Sequence, residues 1–194
     1  MISILVQAMS KEDTIKKIEE NILKRVKTDR LMWFSMWFLA CLVTFGAALF
    51  PMIYLLVERR NRHFSRQREL ESLLIAHYKL ETSELPVDVL NNRNALMWAI
   101  SSPTIAPIFI IAYFLSRDLI QHNEHQRILF EKILGNRVNK KPLLNIKRCI
   151  TITVVTLGLG IIYWLYEIFN AYNRHFKEQW MLEDEILKNL KMGN

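Results

Sequence analysis

The chain has 194 residues, of which 51% are apolar and 23% are charged, and its net charge is +7. This length suits one soluble domain or a small membrane protein, and the distribution of charge favours the second class. Residues 31–57, 95–115 and 149–169 contain no Lys, Arg or Asp, and Glu167 is their only Glu. As helices, these runs are long enough to cross a hydrocarbon core of about 30 Å. The composition therefore predicts an all-α integral membrane protein with large polar flanks.

The basic residues crowd the ends of the apolar runs. This placement indicates anionic membrane lipids as partners and no nucleic acid. Each basic residue near an anionic membrane surface contributes about 1 kcal/mol to the free energy of membrane binding. We expect the cell membrane as the location, with the basic flanks mainly cytoplasmic. The first ten residues lack a basic n-region and predict no cleavable signal peptide. The residues expected at the lipid headgroups are Arg59, Arg60, Arg62, Arg117, Arg148, Arg174, Trp33, Trp37 and Trp164.

The N-terminal segment, residues 1–30, predicts an amphipathic helix. Ile15, Ile18 and Ile22 recur at helical spacing opposite a face of Lys and Glu. Two placements agree with this stripe: a helix lying at the membrane surface, or a solvated helix that packs on another part of the protein. The apolar stripe alone does not choose between them.

An internal repeat covers residues 31–81, 95–136 and 149–191. Residues 44–64 and 156–176 align without a gap, and both contain Thr-x-Gly near the start and Asn-Arg-His-Phe at the end. Each unit is predicted to hold an apolar element, a break and an amphipathic charged helix, as duplicated structural units do. The residues expected to break or pack the apolar helices are Gly46, Pro51, Pro103, Pro107, Gly158 and Gly160.

Each apolar run is either one membrane span or a hairpin that dips into one leaflet and returns. Hairpins would keep all 26 Lys and Arg on the cytoplasmic side, which the positive-inside rule favours, whereas single spans separate them only weakly. Length favours spans, because a hairpin arm has only about ten residues, or roughly 15 Å. The turn of a hairpin must also satisfy its backbone polar groups. Both alternatives stay open.

The repeated histidines raise the possibility of a metal site. A shift of 50 residues places Asn123 on Asn173 and His125 on His175, and the first unit supplies His63. These three histidines are candidate ligands, since imidazole binds several transition metals. However, the chain has no HExxH motif, and Asn-x-His after an aromatic helix is more typical of a hydrogen-bonded cap at the headgroups. The sequence favours the cap and predicts no metal, no cofactor and no catalytic residue.

The third repeat also resembles a known pattern. Thr156-x-Gly158, Tyr163-Trp164 and Asn173 resemble the repeat of an uncharacterised family of small archaeal and bacterial multi-pass membrane proteins, whose units read Thr-x-Gly-x-Tyr, then Tyr-Trp, then Asn. This resemblance implies a membrane fold, and the family supplies no activity that can be carried over to this chain. Repeated apolar wedges with amphipathic helices are also similar in architecture to reticulon-type membrane-shaping proteins.

These features together predict a non-enzymatic membrane-organising or membrane-shaping protein. Broken apolar helices would anchor it, basic amphipathic helices would bind anionic headgroups, and small residues at the breaks would support self-assembly. The alternative is an accessory subunit of a larger membrane transport or secretion complex, in which the breaks pack on partner helices. A histidine-based metalloenzyme is the third hypothesis, and it requires a bound metal at His63, His125 and His175.

Overall fold

In a computed structural model, which describes residues 11–81, 90–135 and 142–192, the chain is all-α within those residues. No helix in this described part is both long enough and apolar enough to cross a bilayer. A short 3-10 helix lies at Ser102–Thr104. The α-helices are α1 (Lys11–Leu23), α2 (Arg25–Thr28), α3 (Phe34–Val43), α4 (Leu49–Tyr78), α5 (Ala95–Ser101), α6 (Ala106–Leu134), α7 (Ile146–Val155) and α8 (Ile161–Met192).

The apolar runs are helical hairpins, which pair α3 with α4 (hairpin 1), α5 with α6 (hairpin 2) and α7 with α8 (hairpin 3). In hairpin 3 a Cβ built on Gly160 would lie 2.6 Å from the Cα of Thr153. Further from the turn, the guanidinium of Arg148 lies 5.6 Å from the ring centre of Tyr163. Residues of α7 and α8 therefore pair in reverse order, so the two helices run antiparallel.

The other two hairpins reverse in the same way. In hairpin 2 the rings of Trp98 and Phe114 are 6.0 Å apart, one on each arm. In hairpin 1 the amide of Met32, just before α3, and the guanidinium of Arg59 on α4 both donate to Oδ1 of Asn173, each at 3.1 Å. Within the described residues each of the three apolar runs therefore reverses direction as a helical hairpin, and none of them forms one unbroken helix.

The repeated Thr-x-Gly motif forms the turn of hairpins 1 and 3. Oγ1 of Thr156 accepts a hydrogen bond from the amide of Gly160 at 2.6 Å and donates to the carbonyl of Ile152 at 2.7 Å. Thr44 makes the same two kinds of bond in hairpin 1. Gly158 has a φ of 97°, which glycine adopts without strain. The motif thus satisfies backbone groups that the reversal removes from the helices.

Hairpin 2 lacks Thr-x-Gly and reverses with proline. Pro103 lies in the 3-10 helix, Ile105 follows with a φ of 64°, and Pro107 is in the first turn of α6. Proline is tolerated there because the first-turn N–H groups have no helical partner. Pro51 occupies the first turn of α4 for the same reason. The predicted breaks therefore coincide with the turns or with the helix starts just after them, and Gly46, with a φ of 91°, lies in the turn of hairpin 1.

Two apolar cores lie within the described residues, with a buried polar layer between them. The first core fills the space among the hairpin arms and includes Leu56 and Leu115. The second lies beyond the polar layer, where Ile18 and Ile22 of α1 pack against residues such as Leu74. Burying a side chain of this kind contributes roughly 2 kcal/mol. Of the two placements open for the N-terminal helix, α1 therefore takes the one packed on the protein.

The hairpin tips are exposed and apolar. Phe45 in hairpin 1 is 100% exposed, Leu157 in hairpin 3 is 96% exposed and Ile105 in hairpin 2 is 62% exposed. The tip of hairpin 3 lies beside hairpin 2, since a Cβ on Gly158 would be 3.5 Å from the ring of Phe109. The tips of these two hairpins therefore lie at the same end of the molecule.

Hairpin 1 lies beside hairpin 3 in the same orientation. Phe34, at the start of α3, has its ring centre 5.6 Å from that of Phe169 and 5.8 Å from that of Tyr166. Both contacts are edge-to-face, and such pairs add about 0.5–1.5 kcal/mol to the burial of the rings. The three tips thus form one apolar end of the molecule, and the polar layer lies at the base of the hairpins.

Candidate metal centre

One histidine from each hairpin reaches the polar layer. His63 lies on α4, His122 on α6 and His175 on α8. Gly46 and His63, Ile105 and His122, and Gly158 and His175 are each 17 positions apart, which is about 25 Å along a helix. Because the hairpins lie side by side with their tips at one end, equal distances from the turns bring the three imidazoles to the same depth.

The three imidazoles form a compact cluster. Each offers one nitrogen, and these nitrogens all lie within 4.8 Å of one another. The Nε2 atoms of His63 and His175 are 3.2 Å apart. A tetrahedral zinc ion with Zn–N bonds of 2.0–2.1 Å separates its ligand nitrogens by roughly 3.3 Å. All three rings are buried, and the separation of the His63–His175 pair matches that of two zinc ligands, so this donor set could hold a transition metal ion.

Two of the rings are held by partners on their outer nitrogens. Nδ1 of His63 lies 2.9 Å from Oδ1 of Asp29, and Nδ1 of His175 lies 3.1 Å from Oδ1 of Asn123. Asp29 also accepts hydrogen bonds from Arg66 and Trp180, each at 2.8 Å. Hydrogen bonds of this kind fix the ring orientation and tautomer of metal-binding histidines. They leave the Nε2 atoms of His63 and His175 directed at each other.

The third ring, His122, has no such partner. Neither of its nitrogens makes a hydrogen bond with any described residue, although the side chain is fully buried. The ring stacks on Phe64, with centres 4.0 Å apart and an interplanar angle of 21°. An unsatisfied buried polar group costs about 1–3 kcal/mol. A metal ion bound to one nitrogen of His122 would satisfy that nitrogen.

The electrostatics of the cluster keep two of the rings neutral. Burial lowers the pKa of His122 well below 6.5, and the neighbouring imidazoles of His63 and His175 lower it further. Burial and His63 also lower the pKa of His175 well below 6.5. Burial alone would raise the pKa of Asp29, but His63 and Arg66 outweigh it and hold that pKa well below its usual range. Neutral imidazole with a free lone pair is the form that binds metal.

The set of histidines predicted from the sequence needs one correction. His125 lies outside the cluster, because its Nε2 is 2.6 Å from Oε1 of Glu71. Alignment of the turn residues Ile105 and Gly158 shifts hairpin 2 onto hairpin 3 by 53 positions and places His122 on His175, whereas the shift of 50 places His125 there. The preferred interpretation as caps at the headgroups also does not hold, since His63 and His175 are buried among protein side chains.

Two arginines expected at the headgroups are buried instead. Arg59 lies among aromatic rings, 5.0 Å from the ring centre of Tyr172 and 5.3 Å from that of Phe169, and burial lowers its pKa to about 9. Arg60 is fully buried and forms an ion pair with Asp118 at 2.9 Å. Both lie on α4 at the base of hairpin 1, where the adjoining hairpins cover that side of the helix.

The other residues predicted at the headgroups divide between surface and interior. Trp164 is buried and donates from Nε1 to Oγ of Ser116 at 2.9 Å, which joins hairpins 2 and 3. Trp37 is half-buried, and Trp33 is 57% exposed. The exposed arginines of the predicted set are Arg62, Arg117, Arg148 and Arg174.

A cavity of about 330 Å³ lies beside the cluster and has His175 and Asn123 in its wall. Gln126 and Gln179 also line it. They are hydrogen-bonded to each other at 3.1 Å, but Nε2 of Gln126 and Oε1 of Gln179 have no partner among the described residues. Three protein ligands leave the fourth position of a tetrahedral ion open for water or another small ligand. The cavity lies on the His175 side of the cluster, and neither His63 nor His122 lines it.

Comparison of the chain with known protein families, with curated proteins and with solved structures gave no match. The resemblance of the third repeat to a membrane-protein family stays a prediction.

Proposed function

We propose that this chain is a membrane-inserted metal-binding protein, in which three helical hairpins dip into one leaflet and His63, His122 and His175 hold a transition metal ion. The convergence of one buried histidine from each hairpin carries the proposal. These residues lie far apart in the sequence, yet their nitrogens lie within 4.8 Å of one another. A bound ion would therefore cross-link the bases of all three hairpins.

Zinc is the ion that this donor set fits best. Imidazole suits Zn²⁺, Cu²⁺, Fe²⁺ and Ni²⁺, and the 3.2 Å between Nε2 of His63 and Nε2 of His175 suits the short bonds of tetrahedral zinc. The carboxylate of Asp29 behind His63 is the outer partner that zinc-binding histidines commonly have. The proposal makes this a binding centre with one exchangeable position and assigns no reaction to it.

The dimensions of the hairpins support insertion into one leaflet. The short arms α3 and α7 each have 10 residues, or about 15 Å, which is half of a hydrocarbon core of about 30 Å. Apolar side chains are exposed at the tips, with Phe45 and Leu157 almost fully accessible. At the base, Trp33 lies 6.0 Å from Nζ of Lys177, a pairing of aromatic and basic residues typical of a membrane interface.

Metal content tests the first half of the proposal. Protein purified without an affinity tag that binds metal should retain or take up about one Zn²⁺ per chain by inductively coupled plasma mass spectrometry. The triple variant His63→Ala, His122→Ala, His175→Ala should lose it. His77→Ala is the matched control, because His77 lies on α4 outside the cluster. Zinc retained by the triple variant, or no zinc uptake by folded wild-type protein, contradicts the proposal.

Liposome flotation tests the second half. Wild-type protein should float with the vesicles and resist extraction by high salt. The double variant Phe45→Asp, Leu157→Asp should be released, since a charge at the centre of the apolar layer costs about 3 kcal/mol on insertion scales. Val26→Asp is the control, because Val26 is 84% exposed but lies on α2, away from the tips. Equal flotation of wild-type protein and the tip variant excludes insertion by the tips.

Membrane shaping is the second candidate function, and the wedge of three exposed tips favours it. Hairpins that enter only one leaflet expand that leaflet and favour curvature. Anionic liposomes at high protein density should become smaller or tubular by electron microscopy, and the tip variant should leave them unchanged. A stoichiometric unrelated partner in mild detergent would instead support an accessory subunit of a larger complex.

A further inference from the structure

A second polar cavity, of about 490 Å³, lies at the base of hairpin 2. It is separate from the histidine cluster, since none of His63, His122 and His175 lines it. Side chains from α4, α5 and α6 and from the segment before α5 form its wall. The lining residues that matter here are Arg60, Arg93, Arg117, Asp118, Met97 and Trp98.

The charges in this cavity do not balance. Arg93 forms two hydrogen bonds to the carboxylate of Asp118, at 2.6 and 2.8 Å, and Arg60 lies 2.9 Å from the same carboxylate. Arg117 is exposed and forms no ion pair with any described residue. Among the described lining residues, three guanidinium groups therefore face one carboxylate, which leaves two positive charges uncompensated.

Arg60 distinguishes this cavity from a patch of surface arginines, because it is buried and held in place by hydrogen bonds. Its side chain is fully buried, and Nη1 donates to Oδ1 of Asn61 at 3.0 Å and to the carbonyl of Asn91 at 2.7 Å. Its Nε atom has no partner among the described residues. A buried N–H group that lacks an acceptor is costly. An anion with several oxygens in the cavity would balance the two uncompensated charges.

Phosphate is the anion that matches this arrangement. Guanidinium groups bind phosphate oxygens through paired N–H donors, which gives both strength and orientation. Met97, which is 52% exposed, and Trp98 extend from the cavity along the apolar arm α5. We infer that this cavity binds a phosphate group, carried either by an anionic lipid headgroup or by a soluble phosphate ester, with the exposed Arg117 as its principal donor and the buried Arg60 as a fixed positive charge in the wall.

The inference is tested by lipid binding to the intact protein in neutral detergent. Native mass spectrometry with phosphatidic acid should show one bound lipid at low lipid concentration, and phosphatidylcholine should bind much more weakly. Arg117→Gln should weaken the binding of phosphatidic acid about tenfold. The control is Arg62→Gln, since Arg62 is also exposed on a neighbouring helix but pairs with Glu58 outside the cavity.

Further variants and ligands distinguish a phosphate site from a diffuse effect of charge. Arg117→Lys should restore part of the binding, which a merely structural role of Arg117 would not produce. Equal loss in Arg117→Gln and Arg62→Gln would show a diffuse charge effect and overturn the site, as would equal binding of the two lipids. Glycerol 3-phosphate, tested by calorimetry, separates the sources: binding comparable to that of phosphatidic acid assigns the site to a soluble ester, and no binding assigns it to lipid. These measurements do not depend on metal content. A negative result would therefore overturn the phosphate site without contradicting the proposed metal centre.

Discussion

Nε2 of His63 and Nε2 of His175 lie 3.2 Å apart, although 112 positions separate the two residues. Two ring nitrogens this close require either a proton between them or a shared cation. Nδ1 of His63 faces the carboxylate of Asp29, so a metal ion would meet the Nε2 side of this ring. A metal ion bound to both Nε2 atoms would satisfy both ring nitrogens without a proton between them.

Asp29→Asn should weaken Zn²⁺ binding about 10- to 100-fold, which is the usual effect of removing a carboxylate behind a histidine ligand. Asn keeps the size of the side chain but removes the charge that strengthens His63 as a ligand. Competition with a chromophoric chelator measures the affinity. Asp184→Asn is the control, because Asp184 pairs with Arg25 at the surface. Equal Zn²⁺ affinities of the Asp29 variant and this control would show that Asp29 does not support metal binding.

The metal-free protein should lose stability as the pH falls below about 6.5. The pKa values of folded His122 and His175 lie well below 6.5, their value in an unfolded chain. The unfolded state therefore binds more protons in the window between the two values, and stability falls with falling pH by about 1.4 kcal/mol per pH unit for each histidine. Above this window the two groups make no pH-dependent contribution.

Chemical denaturation between pH 5 and pH 8 measures this dependence. In His122→Phe the slope of stability against pH should be smaller by about the share of one histidine, since Phe keeps the stacking on Phe64 and removes the titrating group. An unchanged slope would mean that folded His122 accepts a proton as readily as it does in the unfolded chain.

Thr156→Val should destabilise hairpin 3 by about 1–3 kcal/mol, because the amide of Gly160 loses the hydroxyl that accepts its hydrogen bond. Val has nearly the same shape as Thr, so packing is conserved. Thr151→Val is the control, since Thr151 is exposed on the same helix, α7. Thermal unfolding in detergent should separate the two variants. Equal stabilities would show that the hydroxyl of Thr156 does not hold the turn.

Gly160→Ala should destabilise the same hairpin through a different contact. The added Cβ would lie 2.6 Å from Cα of Thr153, and only a shift of the backbone removes this clash. Overpacking of this kind typically costs about 1–3 kcal/mol. The equivalent residue of hairpin 1 is Ala48, so Ala48→Gly is the matched change, and it should cost little because Ala48 is the N-cap of α4, where Gly is favoured over Ala. A Gly160→Ala protein as stable as wild type would argue against close packing of α7 on α8.

The sequence predicts the helical class and the positions of the breaks, because glycine, proline and Thr-x-Gly act locally. It does not decide between a span and a hairpin. That choice depends on whether a reversal satisfies its own backbone groups, and the two hydrogen bonds of Thr156 that do so are visible only in three dimensions. The sequence pattern also does not predict the burial of Arg59, because this burial follows from the packing of one hairpin on another.

Two of the three clustered histidines could be predicted from the sequence. The gap-free match of the first and third repeats identifies His63 and His175, but the second repeat is aligned through Asn123, which selects His125. Counting from the turn residue instead places His122 at the same distance as the other two. This count requires knowing that hairpin 2 turns at Ile105. Because this turn residue is not a glycine, the sequence does not identify it.

Zinc K-edge X-ray absorption on protein loaded with one equivalent of Zn²⁺ tests the metal centre most directly. A centre formed by His63, His122 and His175 predicts three imidazole nitrogens at about 2.0–2.1 Å with one further light ligand, and the loss of one imidazole in His122→Ala. A first shell dominated by carboxylate or sulfur, or a spectrum that His122→Ala leaves unchanged, would contradict it.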